Sequence, residues 1–313
     1  MRKNIAALGF ALVILLTGCA GHGAGGTVGC TPLDTRYRLK QIQMCGPEQG
    51  WALTTENELL FTRGGTGRFF TVRQIGETDS RTEGFVSAFF LDEQRAYLAY
   101  FSPDQEHLVV EHTGDGGSTW QETLLDYGSY GDACDAGSVY LSFKDEKTGW
   151  LLYCSMPGAG LMTKLLFVTF DGGESFSLKA DLSEEITGYP QGISFQGEKG
   201  YIGAAYHGDN GYLYETQDGG ATWDMLEIQP LRRGVNYVDG YAPVFNPQDN
   251  RGMLVLKEAG EEVSYRMYTL KEGEESWEEA GKIQCRSLGS YGAGADGSFF
   301  LLDTSGQLYG LEE

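Results

Sequence analysis

The sequence is short of basic side chains, of long apolar runs and of recognisable metal or nucleotide motifs. It has 23 lysines and arginines against 44 aspartates and glutamates in 313 residues. A surface with that deficit repels nucleic acid and anionic lipid headgroups, so we expect no nucleic-acid partner. The spacing of the cysteines matches no zinc-binding pattern, and no glycine-rich phosphate loop precedes a helix. We therefore predict no metal and no cofactor.

The single long apolar stretch is too short to cross a membrane and is typical of an export signal. Arg2 and Lys3 precede the apolar residues 5–16, which as a helix would span about 18 Å, against roughly 30 Å for a hydrocarbon core. The tetrapeptide Leu-Thr-Gly-Cys that ends at Cys19 resembles a bacterial lipobox. The resemblance implies that residues 1–18 are a signal peptide, that cleavage precedes Cys19 and that its sulfur carries a lipid.

The residues after the lipobox predict a tether and then one folded domain. Residues 20–35 hold five glycines and hardly a large apolar side chain, so we predict a lipidated cysteine and flexible tether over 19–35 and a domain over 36–313. Loss of the signal leaves 21 basic and 44 acidic side chains, a formal charge of −23. The expected location is the extracytoplasmic side of the cell membrane, held through the lipid on Cys19. If the host has an outer membrane, Ala20 favours sorting to it.

One octapeptide recurs three times with its polar and aromatic positions intact. Each copy has Thr at position 1, Asp at 3, Gly at 4 and 5, Ser or Thr at 7 and Trp or Phe at 8. We call residues 113–120, 169–176 and 216–223 the octapeptide turns. Weaker relatives without the aspartate end near Phe69 and Trp277, and the five aromatic residues lie 51, 56, 47 and 54 positions apart. Such a period predicts a repeat architecture.

The octapeptide resembles the Asp box, also called the BNR repeat. In such a turn the Asp accepts hydrogen bonds from the turn's own backbone, the glycines allow positive φ and the aromatic ring anchors the outgoing strand. The resemblance implies that the turns join third and fourth strands, on the face away from the binding or catalytic site. It therefore gives Asp115, Asp171 and Asp218 a structural role.

A second repeated unit, a short apolar strand that follows Gly-Trp or a near equivalent, occurs six times. The strands begin at residues 50, 96, 149, 200, 252 and 298. Around the second of them we predict four strands, over residues 85–92, 96–101, 107–113 and 119–125, and no segment of similar length has convincing helical periodicity. The predicted fold is all-β, a single β-propeller of six blades with four antiparallel strands each, and seven blades are the alternative.

The last blade lacks a fourth strand, because only residues 298–302 and 307–311 follow its first strand. Propellers usually close their ring when one terminus completes the other terminus's blade, so residues within 31–39 are the expected source of the missing strand. An open last blade is the alternative.

Five cysteines remain once the lipidated one is set aside, and export permits disulfides. Ring closure would make Cys45 or Cys30 a partner for Cys285, and Cys134 and Cys154 could bridge within the third repeat. Both pairings are hypotheses, and an odd count leaves at least one thiol unpaired in a monomer.

The period, the Gly-Trp strand and the length of residues 36–313 look most like the photosystem II assembly factor family, with sortilin-type propellers more distant. The assembly factors bind protein through an arginine patch that is not apparent here. Sialidases, the best-known Asp-box enzymes, open with Arg-Ile-Pro and use an arginine triad, whereas residues 37–40 here are Tyr-Arg-Leu-Lys. Xyloglucan-degrading relatives use two facing propellers, and this chain has residues for one.

Ligands are then expected on the face opposite the octapeptide turns, where fourth strands connect to first strands. Two such loops, residues 126–137 and 229–242, combine tyrosines with charges that suit sugar rings or a peptide. The candidate ligand residues are Tyr127, Tyr130, Asp132, Arg232, Arg233, Tyr237 and Asp239. Long loops that are merely polar are the alternative. The sequence thus predicts a non-catalytic propeller that binds or assembles protein or glycan ligands, and a glycan-cleaving Asp-box enzyme is the rival.

Overall fold

The chain folds almost entirely into antiparallel β-sheets. The computed structural model describes residues 26–75, 86–102, 107–133, 137–158, 162–205, 212–246, 249–294 and 296–312. Two short 3-10 helices, Gly65–Gly67 and Gly128–Ala133, accompany the strands. No helix within these ranges has the length and apolar character needed to cross a membrane.

Four separate blades follow one another along the chain, each with four antiparallel strands in sequence order. The first has β2 (Leu39–Met44), β3 (Gln49–Thr54), β4 (Glu58–Arg63) and β5 (Phe69–Gln74), and the second has β6 (Ser87–Phe90), β7 (Ala96–Phe101), β8 (Leu108–Thr113) and β9 (Gln121–Leu124). The third has β10 (Gly137–Phe143), β11 (Gly149–Ser155), β12 (Lys164–Thr169) and β13 (Ser177–Asp181), and the fourth has β14 (Tyr189–Gln196), β15 (Lys199–Ala205), β16 (Leu213–Thr216) and β17 (Asp224–Met225).

The other strands form one nine-stranded sheet with two arms. The β18 arm contains β18 (Val235–Gly240), β19 (Val244–Phe245), β20 (Gly252–Gly260), β21 (Val263–Leu270) and β22 (Glu278–Ile283). The β23 arm contains β23 (Ser290–Ala293), β24 (Phe299–Leu302) and β25 (Leu308–Glu312), and β1 (Gly26–Pro32) lies between the arms. The predicted all-β propeller is confirmed. Six separate blades are not seen, because β1 pairs with both arms and merges them.

The amino-terminal strand completes the β23 arm. Residues 29–32 pair antiparallel with β25, and residues 26–28 pair parallel with β22. The predicted closure by the amino terminus therefore occurs, but through residues 26–32 rather than 31–39, and the open last blade is wrong. These residues also lie inside the range 19–35 where we predict a tether. A glycine-rich sequence can still form a strand when, as here, two sheet edges supply its backbone hydrogen bonds.

The Gly-Trp units lie at the packing surfaces between blades. Trp150 is 1% exposed and stacks on Phe195 of the fourth blade, with ring centroids 3.7 Å apart. The preceding Gly149 has no room for a side chain, because a Cβ there would lie 2.3 Å from the ring of Phe143. Glycine is thus needed at this position so that the Phe143 ring can pack directly against the backbone of β11. The tryptophan that follows packs against the neighbouring blade.

Candidate functional site: the central channel

The two faces of the ring are distinguished by their turns. In the second, third and fourth blades, the octapeptide turn lies against the turn between the first two strands. The amides of Gly116, Gly172 and Gly219 donate to the carbonyls of Gln94, Lys147 and Glu198 at 2.9, 2.8 and 2.9 Å. We call this side the octapeptide face. The opposite face carries the turns between second and third strands and the connections from one blade to the next.

The aspartates of the octapeptide turns are held inside those turns. Asp115 Oδ1 accepts hydrogen bonds from Thr113 Oγ1 and from the Thr119 amide, each at 2.9 Å, and Oδ2 accepts from Thr119 Oγ1 at 2.6 Å. Asp171 and Asp218 receive the same three types of bond within their own turns. The three carboxylates belong to separate hairpins and do not converge on one site.

Hydrogen bonding also sets the charge of these carboxylates. The side-chain and backbone bonds from Thr119, followed by the bond from Thr113, lower the pKa of Asp115 to about 2. The pKa of Asp218 is lowered too, chiefly by the backbone and side-chain bonds from Thr222. Both groups are therefore ionised at neutral pH, which leaves neither as a proton donor for acid catalysis.

The candidate loop 126–137 contributes its tyrosines to packing. Tyr127 is half-buried and makes edge contacts with Tyr153 and Phe167, at centroid distances of 5.3 and 6.3 Å. Tyr130 packs against the same apolar cluster, and its hydroxyl contacts Asp181, which raises the pKa of the phenol. Asp132 lies in the 3-10 helix Gly128–Ala133. Tyr127 therefore packs on the core of the third blade with part of its ring, and its role as a ligand contact stays a prediction.

The candidate loop 229–242 divides between an internal charge network and the surface. Arg232 pairs with Glu258 at 3.1 Å and also with Glu279. Arg266 bonds the same two carboxylates at 2.8 and 2.7 Å. Glu258 has only 4% of its side chain exposed, and a charge so buried needs such partners. Arg232 therefore anchors this loop to β20 and β22 and is not free for a ligand.

The remaining predicted residues of this loop lie apart from that network. Asp239 is 6% exposed and pairs with Lys257 at 2.8 Å, and the Lys257 ammonium lies 5.8 Å from the centre of the Tyr237 ring. Arg233 is exposed. Arg232 and Asp239 both take part in internal ion pairs, and their contact with a ligand stays a prediction.

A channel of about 1030 Å³ runs along the axis of the ring. Its wall consists of β2, β6, β10 and β14 from the four blades, together with residues around β19 and β23 from the two arms. Serine, glutamine and asparagine side chains lie among apolar ones in the wall, namely Gln41, Gln43, Ser87, Ser138, Ser142, Gln191, Ser194, Gln196, Asn246, Asn250 and Ser290. The wall is thus mixed in character, and its charged side chains are Lys40, Asp92, Arg95, Lys144, Asp145 and Glu146.

The octapeptide-face end of the channel holds its charges in ion pairs. Arg95 bonds Asp92 at 2.7 Å and reaches Glu146 of the next blade at 2.5 Å. Lys144 pairs with Glu198 of the fourth blade at 2.6 Å. These contacts join successive blades, so this end of the channel is committed to holding the ring together.

The opposite-face end has a different character. Lys40, at the start of β2, donates from Nζ to the Val86 carbonyl at 2.6 Å, and burial lowers the pKa of this lysine to about 8. Ser138 lies near the start of β10, and Ser290 is the first residue of β23. Gln191, near the start of β14, is exposed at this end of the channel. The Ser194 hydroxyl lies buried farther along β14 without a hydrogen-bond partner among the described residues. These donors and acceptors can bind a polar ligand that enters from this face.

The cysteines fall into different clusters. Cys45 packs with the cluster around Trp51, whereas Cys285 packs with Cys30 in the cluster around Ile283. The Cys45–Cys285 pairing that the sequence offered is not seen, and the two residues pack in different clusters. Cys154 is a buried thiol, and Cys134, Cys19 and the remainder of residues 1–25 lie outside the described residues. Within those residues, no cluster of histidine, cysteine and carboxylate side chains could hold a metal ion.

Sequence reasoning missed the channel because its lining is ordinary in composition. Serine and glutamine on a strand indicate no particular chemistry, and only ring closure brings the strands that line the channel together. The site could have been located from the position of its residues in the repeat, since they occupy the first strand of each repeat.

No protein-family model and no curated protein sequence is significantly similar to this chain. Three solved structures share its fold at low identity. YCF48 bound to D1 peptide has a TM-score of 0.54 and 14% identity, over 91% of this chain and 94% of that one. The SapL1 lectin in complex with alpha methyl fucoside has a TM-score of 0.50 and 12% identity, over 88% of each chain.

The third structure is longer than this chain. The GH74 enzyme of Niastella koreensis has a TM-score of 0.56 and 16% identity, over 88% of this chain but only 42% of the enzyme. This chain therefore matches less than half the length of that enzyme. At such identities the likeness concerns the fold alone, and the chain shares the β-propeller architecture of all three proteins.

Proposed function

We propose that this protein is a membrane-anchored, non-catalytic β-propeller that binds a protein or glycan ligand in its central channel, from the face opposite the octapeptide turns. The observation that carries the proposal is the composition of the channel wall. Its hydroxyl and amide groups lie among apolar side chains, and its carboxylates are confined to the octapeptide-face end, which suits the mixed polar and apolar surface of a peptide or a sugar.

The arrangement of carboxylates favours binding over hydrolysis. A glycosidase needs two carboxyl groups about 5–10 Å apart beside the bond that it cleaves. Among the described residues of the channel wall, the carboxylates are Asp92, Asp145 and Glu146, all at the octapeptide-face end. Arg95 holds two of them in ion pairs. The opposite-face end presents lysine, serine and glutamine instead.

The solved propellers support both ligand classes. YCF48 is bound to a D1 peptide and SapL1 to a fucoside, and single propellers of this size therefore accommodate a peptide or a sugar. The GH74 enzyme is the neighbour that favours the rival function, a glycan-cleaving enzyme, and this chain matches only 42% of it.

The proposal includes six blades and an Asp-box origin for the octapeptide turns. The β18 arm supplies four antiparallel strands in blade order when β18 and β19, which pair with successive parts of β20, count as one interrupted strand. The β23 arm together with β1 supplies another four, and six strand segments line the channel. The merged sheet is then two blades joined by β1. The −23 charge of the mature chain supports solubility outside the cell, where the lipid on Cys19 would hold the protein.

Gln191→Trp is expected to abolish ligand capture while the ring stays folded. Gln191 is exposed at the opposite-face end of the channel, so an indole there would obstruct the entrance. We expect at least a tenfold loss of affinity, about 1.4 kcal/mol, for the glycans or peptides that the detergent-solubilised wild-type chain binds on glycan and peptide arrays.

Ser118→Trp is the matched control, because Ser118 is exposed on the octapeptide face. It should bind as the wild type does. Equal losses in both variants, or full binding by Gln191→Trp, would place the ligand elsewhere. Turnover of chromogenic glycosides by the wild-type chain would instead establish the enzymatic alternative.

A disulfide between Cys30 and Cys285 is a further part of the proposal. Val28 lies opposite Ile283 in the parallel pair, and the Gln284 amide donates to the Val28 carbonyl at 3.1 Å. If this register continued two residues beyond the recorded pairs, Cys30 would lie opposite Cys285, and both residues pack in the same apolar cluster. Paired strands lie about 4.8 Å apart, which suits the roughly 4.4–6.8 Å between Cα atoms of a disulfide.

Oxidised protein is therefore expected to yield one linked peptide that contains Cys30 and Cys285, by mass spectrometry of the unreduced digest. The bond would connect β1 to the end of β22, and Cys285→Ser should cost about 2–4 kcal/mol of unfolding free energy. The same digest after reduction, in which the linked peptide should disappear, provides the control. Free thiols at Cys30 and Cys285 after export would refute this bond.

A further inference from the structure

Strand β1 sets the direction from which the amino-terminal segment approaches the ring. β22 begins at Glu278, just after the turn between the third and fourth strands of the β18 arm, and that turn lies on the octapeptide face. Gly26 lies opposite Gly281 in β22, and Val28 opposite Ile283, in parallel. The chain therefore enters β1 from the octapeptide side and runs towards the opposite face.

The pairing of β1 also shortens the connection to the proposed lipid. Seven residue steps separate Cys19 from Gly26, and a chain of that length reaches at most about 25 Å. The blade strands of six or seven residues give the ring a height of about 20–23 Å. The maximum length of the tether is thus comparable to the height of the ring. The tether joins the ring at Gly26, which lies partway up the rim.

We infer that the anchored ring stands with its octapeptide face towards the membrane and the ligand entrance of the channel pointing away from it. The inference rests on the lipid anchor of the proposed function. A tether in the opposite orientation would have to reverse its direction at Gly26 and run back alongside β1 for about half the height of the ring before it reached the bilayer. The partner of the octapeptide face is therefore the membrane surface.

The negative charge of the octapeptide face indicates what holds this face towards the membrane. Asp115, Asp171 and Asp218 are exposed on it, and their pKa values lie below the usual range. Ionised carboxylates gain nothing from anionic headgroups. The tether, rather than adhesion to lipid, therefore sets the orientation, and this distinction can be tested.

Two labelled positions in the β18 arm measure the orientation. Ser276 and Glu262 are both exposed and lie just beyond opposite ends of β21, on the octapeptide face and the opposite face respectively. Ser276→Cys and Glu262→Cys would each carry a maleimide fluorophore in the lipidated full chain. The chain would be reconstituted into phosphatidylcholine vesicles that contain a lipid with a nitroxide on its headgroup. We expect at least threefold stronger quenching at position 276.

The native thiols interfere little with this labelling. Burial, as the largest cause, raises the pKa values of Cys45, Cys154 and Cys285 to about 12, so they react slowly with maleimide at neutral pH. The wild-type chain taken through the same labelling gives the background to subtract.

Equal quenching at the two positions, or stronger quenching at position 262, would overturn the orientation. A second copy of residues 20–25 should double the reach of the tether and reduce the difference, and an unchanged difference would show that the tether is not its cause. Cys19→Ser separates the two proposals. If it leaves vesicle binding intact, the lipid anchor itself is wrong, whereas loss of binding with equal quenching in the lipidated chain rejects the orientation alone.

Discussion

Replacing Trp150 by Ala is expected to lower the free energy of unfolding by about 3–5 kcal/mol. The indole is almost fully buried, stacks on Phe195 at an interplanar angle of 6° and donates from Nε1 to the Gly219 carbonyl at 2.9 Å. The substitution would remove packing between the third and fourth blades and leave the buried carbonyl without this donor. Chemical denaturation followed by far-ultraviolet circular dichroism measures the change.

Phe170→Ala is the control for this prediction. Phe170 is an aromatic residue of the same blade but is 69% exposed in its octapeptide turn, so its removal should change stability by less than about 0.5 kcal/mol. Similar losses in the two variants would show that size rather than contact between blades determines the effect. A loss below about 1 kcal/mol for Trp150→Ala would contradict the importance of this contact.

Replacing Cys19 by Ser is expected to release the protein from membranes into the soluble fraction. Each buried methylene of an acyl chain contributes about 0.8 kcal/mol to membrane attachment, and two or three chains make it stable. Serine has no thiol to carry the diacylglyceryl group that the lipobox resemblance implies. Fractionation of cells and detection of the protein in each fraction provide the measurement.

The released protein should remain folded, because the described fold begins at Gly26. Its denaturation midpoint should match that of the detergent-solubilised wild type. Ala20→Ser, one residue farther along, controls for substitution near the cleavage site and should stay with the membrane. Retention of Cys19→Ser at wild-type levels would contradict the anchor.

Local sequence predicted the repeated elements well. For the second blade we predicted strands over 85–92, 96–101, 107–113 and 119–125, and β6 to β9 lie within those ranges. Alternation of apolar and polar residues and the glycine-rich turns are properties of the chain itself. The same holds for the hydrogen bonds of Asp115, whose donors all lie within four residues of it.

The internal contacts of the candidate ligand residues could not be predicted from the sequence. Tyr127 and Arg232 were chosen as loop residues with suitable chemistry, yet Tyr127 packs on Tyr153 and Arg232 pairs with Glu258. Their partners are 26 residues away in each case by the numbering. A sequence of one protein gives no measure of which long-range partner a polar side chain will find.

By itself, the sequence determined the period of the repeat, the octapeptide turns and the all-β propeller, because each of these depends on residues close together in the chain, and the export signal stays a prediction from its pattern. Tertiary structure alone decided that residues 26–32 form a strand, that β1 merges two arms into one sheet, and that unremarkable serines and glutamines line a common channel. The physical reason is closure of the ring. Sheet edges and strand ends distant in sequence meet only when the last blade packs against the first.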